Sequence, residues 1–182
     1  MNYQKITKND TANGDGIRVT LWVSGCSHRC YGCHNPQTWD PDSGKEYTYE
    51  TCKEICEELE KPWVAGLTLS GGDPFHENNR IILSVLVKCI KSWFPNKNIW
   101  CYTGYTLEQL WEMSNDDMSV WLLLENIDIL VDGKYQHKLR DVSFPWAGSS
   151  NQRVWARVNE EWVQSVYDKE YREKKENKHE NI

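Results

Sequence analysis

The sequence predicts an α/β fold, an open and partial (β/α) barrel built on a mostly parallel sheet. Short β-branched runs alternate along the chain with segments of helical periodicity, in the order βαβαβαβ. That alternation is typical of parallel strands joined by helical crossovers. Four or five strands are too few to close an eight-stranded barrel, so we expect the sheet to stay open and curved.

Each predicted strand is a short apolar run bounded by turn-forming residues. The clearest, residues 17–24, follows a stretch rich in Gly, Asn and Asp. Further strands are predicted at 66–70, 98–103 and 127–131, with a candidate fifth at 153–158. The spacing between them leaves room for a helical crossover, which parallel strands require.

Three helices are predicted between these strands. The first has a capping box at Thr51–Glu54 and helical spacing to about Glu60. The second carries an apolar stripe from Ile81 to Ile90, and the third starts at Thr106. The strands therefore run in the same direction, and the loops that follow them meet at one edge of the sheet.

Composition and charge exclude several classes of function. The chain has 182 residues and a formal net charge of −6, without a Lys/Arg-rich stripe in its predicted folded part. Tight nucleic-acid binding is not expected, because phosphate contacts dominate that affinity. No apolar run approaches the roughly 20 residues of a membrane span, and the N-terminus leads into no secretory h-region. We expect a cytoplasmic protein with neither a membrane nor a nucleic-acid partner.

The chain is expected to form one domain at 1–158, followed by a charged C-terminal tail at 159–182. The polar and charged fraction rises after residue 158, and residues 169–180 lack an apolar stripe. Such a segment buries too little apolar surface to offset the entropy lost on ordering, so a solvated helix end or a frayed tail is predicted there.

The most informative segment is Cys26-Ser27-His28-Arg29-Cys30-Tyr31-Gly32-Cys33, which has the spacing C-x3-C-x2-C. It directly follows the first predicted strand. Three thiolates are one fewer than a [4Fe–4S] cluster usually takes, which would leave one iron open. A zinc site completed by His28 or His34 is an alternative, and so are inert thiols. A disulfide cluster fits poorly with an odd count of seven cysteines.

The cysteines outside this segment, Cys52, Cys56, Cys89 and Cys101, are interpreted as buried structural thiols. Gly71-Gly72 follows the second predicted strand. A glycine pair allows close approach of a ligand to the backbone, because glycine has no Cβ, but an ordinary strand-to-helix turn explains it as well.

Several polar residues near the predicted sheet edge have two readings each. Arg18 and Asp15 either line a partner surface or pin a turn, and we favour the turn. Asp132 and Lys134 either contact a bound nucleoside or a partner protein, or form a salt-bridged strand end. His34 and Asn35 either order a ligand or make local hydrogen bonds within the loop.

The cysteine spacing, together with Gly71-Gly72-Asp73-Pro74 after the next strand, resembles the radical S-adenosylmethionine enzymes. Further segments resemble the glycyl-radical-enzyme activases and, among them, the family that activates anaerobic ribonucleoside-triphosphate reductases. These segments are 10–18, 33–40, 67–74, 102–105, 131–134 and 148–153. The similarity covers roughly residues 2–158 and implies a radical S-adenosylmethionine domain with that superfamily's partial barrel.

The resemblance implies that Cys26, Cys30 and Cys33 hold a [4Fe–4S] cluster whose unique iron binds the amino and carboxylate groups of S-adenosylmethionine. Gly32 stands where many of these enzymes have an aromatic residue, so the adenine contact is expected from the backbone of Gly32–His34. The resemblance assigns no side chain as a catalytic acid, base or nucleophile. The residues implied to contact S-adenosylmethionine are Gly32, Cys33, His34, Gly71, Gly72 and Asp73.

The same resemblance implies an oxidoreductase activity. A flavodoxin-like external donor would supply one electron, and S-adenosylmethionine would be cleaved to methionine and a 5′-deoxyadenosyl radical. That radical would take a hydrogen atom from a glycine on the large subunit of the reductase. The cofactors supply the radical chemistry, and the protein supplies orientation and exclusion of water.

Two other classes of function remain open at this point. One is a radical enzyme acting on another glycyl-radical enzyme or on a small molecule, which turnover by the isolated chain would reveal. The other is a non-catalytic iron–sulfur electron carrier or a zinc-binding module. A reduced cluster whose spectrum S-adenosylmethionine left unchanged would favour that second class.

Overall fold

The structure, a computed structural model, describes residues 1–179 and has a mixed α/β architecture with one eight-stranded sheet. The strands are β1 (Asn2–Asp10), β2 (Ile17–Val23), β3 (Lys45–Glu46), β4 (Val64–Gly71), β5 (Asn98–Tyr102), β6 (Ile129–Asp132), β7 (Arg153–Val158) and β8 (Glu161–Gln164). The helices are α1 (Tyr49–Leu59), α2 (Glu77–Trp93), α3 (Leu107–Ser114), α4 (Met118–Glu125) and α5 (Val166–His179). Short 3₁₀ turns lie at Pro36–Thr38 and His137–Leu139.

The strand order is β3-β1-β2-β4-β5-β6-β7-β8, and the prediction of a mostly parallel sheet is wrong. Only the three central pairings, β2–β4, β4–β5 and β5–β6, are parallel. The four outer pairings are antiparallel. The parallel centre carries the helical crossovers, and antiparallel strands extend it on both sides.

The antiparallel pairings follow from connections that contain no crossover helix. β7 and β8 are joined by Asn159 and Glu160 alone, both at positive φ (50° and 68°). Two successive positive φ values are typical of a type I′ hairpin turn, which returns the chain beside itself. The predicted tail therefore begins with a hairpin, and its first residues extend the sheet.

The five predicted strands are confirmed, with bounds shifted by no more than a few residues. The first helix starts earlier than predicted, because Thr48 is its N-cap and Thr51 is the third helical residue, whose hydroxyl accepts from the Thr48 N–H at 3.2 Å. The sequence did not indicate β1, which is largely polar and is held by its pairing with β2.

The two faces of the sheet are covered differently. Side chains of α1, α2, α3 and α4 pack on one face against residues such as Leu21, Leu69 and Ile99. The opposite face, here called the inner face, carries a smaller cluster formed by Trp100, Val131, Phe144, Val154 and Tyr171. All four crossover helices thus lie on the same side, and the inner face is left for a site.

The C-terminal segment is anchored to the inner face. In α5, Tyr171 is buried and stacks on Phe144 with ring centroids 3.9 Å apart. Asp168 is fully buried and accepts from the Val154 N–H at 2.8 Å and from Arg172. The division into a domain at 1–158 and a charged segment at 159–182 stays a prediction.

Within residues 1–179 no helix is long and apolar enough to cross a bilayer.

Arg18 is fully buried beneath the inner face and confirms the interpretation that it pins a turn. Its Nη1 donates to the Asp15 carbonyl at 3.0 Å and to Asn98 Oδ1 at 2.7 Å. Its Nη2 donates to the Leu67 carbonyl at 2.8 Å, and its Nε donates to Thr68 Oγ1 at 2.6 Å. Burial lowers the pKa of Arg18 to about 10. The guanidinium therefore ties β2, β4 and β5 together at the end opposite the cysteines.

We expect Arg18→Met to lower the free energy of unfolding by about 3 kcal/mol or more, because it leaves several buried acceptors without a donor at about 1–3 kcal/mol each. Urea denaturation measures the loss. The control is Arg80→Met, which removes a partly exposed ion pair with Asp117 and is expected to cost about 1 kcal/mol or less. Equal losses in the two variants would contradict this role of Arg18.

Candidate metal centre

The loop with the three cysteines leaves the C-terminal end of β2 and is fixed at its base by backbone hydrogen bonds. Gly25 N–H donates to the Thr38 carbonyl at 2.7 Å, and Cys26 N–H donates to the Trp39 carbonyl at 3.1 Å. On the other side, Asp73 N–H donates to the Gly25 carbonyl at 2.8 Å. The loop, called the cysteine loop (26–33) from here on, therefore starts from a rigid position.

His28, between the first two cysteines, joins the cysteine loop to the ends of the neighbouring strands. Its Nε2 lies 2.8 Å from Asp73 Oδ2, at ion-pair distance but not aligned for a hydrogen bond. Its ring packs edge-on against Tyr105 with centroids 4.5 Å apart. A Cβ at Gly104 would lie 2.3 Å from the imidazole, so only glycine leaves room for it there.

Asp73 is almost fully buried and links three separate segments. Its Oδ1 accepts from the Phe75 N–H at 2.9 Å, within its own turn. Thr103 Oγ1 donates to both carboxylate oxygens at 3.0 Å, and the Gly104 N–H donates to Oδ2 at 2.9 Å. The carboxylate thus holds the loop after β4, the loop after β5 and, through His28, the cysteine loop in one arrangement.

The two glycines before Asp73 allow close packing of the chain against itself. Gly71 has φ +103°, and a Cβ there would lie 2.9 Å from the Trp22 backbone. A Cβ at Gly72 would lie 2.5 Å from the Gly25 carbonyl oxygen. The backbone that approaches the pair is the base of the cysteine loop, and close approach of a ligand to these glycines stays a prediction.

The far side of the cysteine loop rests on the segment after β6. Gly32 has φ +73°, and a Cβ there would lie 2.6 Å from His137 Nδ1. Tyr31 packs edge-on against the same imidazole, with ring centroids 5.4 Å apart. The His34 and Tyr135 rings lie 5.7 Å apart. The loop is therefore supported on two sides and exposed at its tip, where Tyr31 is 83% exposed.

Each of the three sulfurs receives a backbone N–H. The N–H groups of His28 and Arg29 donate to Cys26, that of Tyr135 to Cys30, and that of Asn35 to Cys33 at 3.4 Å. Donors directed at sulfur stabilise the thiolate, which is the form that binds metal. These donors fit a thiolate site rather than three inert thiols.

Burial acts in the opposite direction on the first two cysteines. It raises the pKa of Cys26 to about 11, with a further contribution from the Asp73 carboxylate. It also raises the pKa of Cys30. The Cys30 thiolate contributes to the Cys26 shift and the Cys33 thiolate to the Cys30 shift, so the sulfurs lie within electrostatic range of their neighbours. A bound cation would relieve that repulsion.

The sulfurs do not converge into a closed ligand set. Across residues 1–179, no group of three or more His, Cys, Asp or Glu side chains is arranged to hold a metal ion. The donor chemistry nevertheless fits an iron–sulfur cluster, because three soft thiol ligands share one loop and each has a backbone donor. Of the remaining cysteines, Cys101 is buried as predicted, and Cys52, Cys56 and Cys89 are partly exposed.

A cleft of about 470 Å³ lies beside the cysteine loop on the inner face. This volume is within the range of small-molecule and cofactor sites. Side chains at the ends of three strands, Trp22, Ser70 and Tyr102, form its floor. The remaining lining residues are Ala12, Asn13, Cys30, Cys33, His34, Asn35, Tyr135, Trp146, Ala147, Gly148 and Gln152.

The structure brings only some of the predicted site residues to this cleft. Cys30, Cys33 and His34 line it, whereas Cys26 does not. Gly32 faces His137 instead. Gly71, Gly72 and Asp73 lie outside the lining and contact the chain itself, with Ser70 bringing the end of β4 to the cleft. Their contacts with a cofactor stay predictions.

Comparison with known proteins is decisive for the family. Residues 12–155 match the family model described as "4Fe-4S single cluster domain". The chain is 41% identical over 162 residues to the anaerobic ribonucleoside-triphosphate reductase-activating protein of Enterobacteria phage T4, covering 89% of this chain and 98% of the relative. The chain belongs to this family of activating proteins. Proteins of the same name from Vibrio cholerae and Escherichia coli K12 are 44% and 40% identical over 156 residues, or 85% of this chain and 97% of each relative.

Sequence reasoning missed several contacts that position this site, and it considered His28 only as a zinc ligand. In this activating-protein chain, His28 and Gly104 fix the cysteine loop, and Tyr135 forms a wall of the cleft. The alternation of side chains between the two faces of each strand could have predicted the floor of the cleft. Trp22, Ser70 and Tyr102 lie on the face opposite the apolar positions that pack under the helices.

Asp132, at the end of β6, forms a salt bridge with Arg153, which confirms one of the two interpretations of this strand end. Arg153 Nε donates to Asp132 Oδ1 at 3.0 Å, and the Leu107 N–H donates to Oδ2 at 2.7 Å. Arg153 also forms a two-bond pair with Glu108, at 2.9 and 2.7 Å. This pair lowers the pKa of Glu108 to about 2. The network fixes the positions of β6, β7 and the start of α3 near the cleft.

We expect Gly72→Ala to reduce the iron and sulfide retained after anaerobic reconstitution, because its Cβ would displace the Gly25 carbonyl under the cysteine loop. The control is Gly133→Ala, whose nearest neighbour would be 3.6 Å away. Because Gly133 has a positive φ, alanine in this control is strained by about 1–2 kcal/mol, but its Cβ does not clash with a neighbour. Iron content in Gly72→Ala equal to wild type would show that the loop base tolerates a side chain.

We expect Arg153→Lys to raise the pKa of Glu108 toward its ordinary value of 4.5, because lysine cannot hold two carboxylates in a fork. Since the folded-state pKa of Glu108 is depressed, its stabilisation is present above about pH 4.5 and is lost as the pH falls toward 2. Carboxyl ¹³C NMR titration measures the midpoint. Arg157→Met, which affects the pair with Glu125, should leave it unchanged; an unchanged midpoint in Arg153→Lys would contradict the assignment.

Proposed function

We propose that this chain activates an anaerobic ribonucleoside-triphosphate reductase through radical S-adenosylmethionine chemistry. In this reaction S-adenosylmethionine is reductively cleaved, and the 5′-deoxyadenosyl radical makes a glycyl radical on the large subunit of the reductase. Family membership supports the reductase as the partner. The observation that carries the chemical part is a three-thiol loop with a backbone donor at every sulfur, next to a cofactor-sized cleft.

Cys26, Cys30 and Cys33 are the proposed ligands of a [4Fe–4S] cluster. When bound, the cluster supplies one-electron reduction at an iron that has no protein ligand. The chain's own contribution is to hold the three sulfurs on one rigid loop and to provide the N–H groups of His28, Tyr135 and Asn35. Hydrogen bonds to sulfur are among the factors that set a cluster's potential.

The cleft is the proposed site of S-adenosylmethionine. Cys33 and His34 line it beside the cysteine loop, and the aromatic rings of Trp22 and Tyr102 give it an apolar floor. Gly32, Gly71, Gly72 and Asp73 complete the proposed set by shaping the backbone around it. The rings would shield from water one side of the space where a reactive organic radical would form.

The open side of the cleft suits a macromolecular substrate. The lining residues Trp146, Ala147 and Gly148 belong to the segment between β6 and β7 and lie outside any helix or strand. A glycine on a loop of the partner has no side chain, so it could enter the cleft from its open side. The proposed electron source is an external, flavodoxin-like protein.

The architecture proposed for this function is the open partial (β/α) barrel of the radical S-adenosylmethionine enzymes. It is supported by the position of the crossover helices, which all pack on one face of the parallel centre. A doubly wound sheet would have helices on both faces, whereas a barrel has them outside only.

The decisive experiment is anaerobic reconstitution with iron and sulfide, followed by reduction with dithionite and addition of S-adenosylmethionine. We expect 5′-deoxyadenosine from the wild type and none above background from Cys30→Ser, because two thiolates do not hold the cluster. Cys89→Ser is the matched control, since Cys89 is a partly exposed thiol of α2 on the other face of the sheet. Retained product in Cys30→Ser would overturn the ligand assignment. Bound zinc without a cluster would overturn the function.

A further inference from the structure

Cationic side chains lie on the cysteine loop and on the segment that packs against its tip. All of them are solvent-exposed, although the chain as a whole has a net charge of −6. We call this set the cationic rim; its members are Arg29, Lys134, Lys138 and Arg140. The rim is therefore a local reversal of the charge of the whole molecule.

The members of the cationic rim are held together by the contacts of the cysteine loop. Arg29 directly precedes Cys30 in the loop. Lys134 precedes Tyr135, whose backbone N–H donates to the Cys30 sulfur. His137 packs on Tyr31, and the turn that it starts carries Lys138 and ends before Arg140. Arg29 and Lys134 thus lie beside the proposed cluster ligands, and Lys138 and Arg140 lie on the segment that supports the loop.

The two rim arginines, Arg29 and Arg140, differ from the other arginines of the chain, each of which has an internal hydrogen-bond or ion-pair partner. Arg80, Arg153, Arg157 and Arg172 are ion-paired, and Arg18 is hydrogen-bonded in the interior. Over residues 1–179, neither Arg29 nor Arg140 has a side-chain hydrogen bond or an ion pair, and Lys134 and Lys138 form no ion pair. The nearby carboxylates are already engaged, Asp132 by Arg153 and Asp141 by Lys175.

Exposed apolar side chains lie among these charges. Tyr31 is 83% exposed, Val142 is 82% exposed and Leu139 is 41% exposed. Arginine and tyrosine are enriched at protein–protein contacts, where apolar anchors combine with a charged border. The composition of this surface therefore fits a protein partner better than a small anion.

We propose that the cationic rim is the docking surface for an acidic electron-transfer protein that reduces the cluster. This inference rests on the proposed function, because it presumes a cluster at Cys26, Cys30 and Cys33. The donor is oxidised by one electron and the cluster is reduced by one, with no bond made or broken. Opposite charges steer such encounters and raise the association rate at low salt.

The position of the rim favours the electron donor over the reductase. The rim side chains Arg29, Lys134, Lys138 and Arg140 do not line the cleft. A donor docked on the rim would reach the tip of the cysteine loop from outside. The cleft on the inner face would stay free for S-adenosylmethionine and for the glycine of the reductase.

The test compares two doubly charge-reversed variants of the full chain with the wild type. Lys138→Glu/Arg140→Glu changes the rim without touching the cysteine loop. Lys88→Glu/Lys169→Glu makes the same change in net charge on exposed residues of α2 and α5. The probes are a purified acidic flavodoxin, for binding at several salt concentrations and for cluster reduction, and the reductase large subunit, for binding alone. Dithionite-driven 5′-deoxyadenosine formation reports the proposed function separately.

We expect the rim variant to bind flavodoxin about tenfold more weakly at low salt, with a flattened salt dependence and slower cluster reduction. Its binding to the reductase and its dithionite-driven activity should match the wild type, as should every property of the control variant. Unchanged flavodoxin binding in the rim variant overturns the proposal. So does an equal loss in both variants, or a loss of reductase binding alone, which would make the rim the reductase's docking surface.

Discussion

The buried carboxylate of Asp73 is the contact on which the geometry of the site depends. It collects donors from its own turn and from Thr103 and Gly104, and it sets the position of His28. A carboxylate in this setting replaces water with several fixed N–H and O–H groups, so its removal would leave those donors unpaired. The cysteine loop is therefore oriented by a residue that does not line the cleft.

The two faces of the sheet have different roles, because one carries the larger core and the other carries the candidate site. Four helices pack on one face and form the larger core, so that face supplies most of the apolar burial. On the inner face, Arg18 and the aromatic cluster fill one end, and the cleft occupies the other. Strand ends placed side by side bring Trp22, Ser70 and Tyr102 to one floor, although they are distant in sequence. This is the usual consequence of parallel strands, whose carboxyl ends share an edge.

What the sequence could predict was local or periodic. The five strands were predictable because their apolar residues recur, and the cysteine spacing is contained within eight residues. The polar strand β1 was not, because its pairing with β2 decides its conformation. The antiparallel outer strands depend on turns such as Asn159–Glu160, whose positive φ values are not typical of Glu. The contact of His28 with Asp73 joins two loops and has no sequence signal.

The contacts of Asp73 join residues that are far apart in the sequence, and this separation affects the order in which parts of the chain fold. The bond from Gly104 to Asp73 spans 31 residues, and both ends follow strands of the parallel centre. Contacts of this kind form late in folding, because the entropy of closing long loops opposes them until the strands have paired. The cysteine loop is thus given its final shape by a sheet that is already complete. Metal binding at the three thiols would therefore follow the formation of the sheet and would not nucleate it.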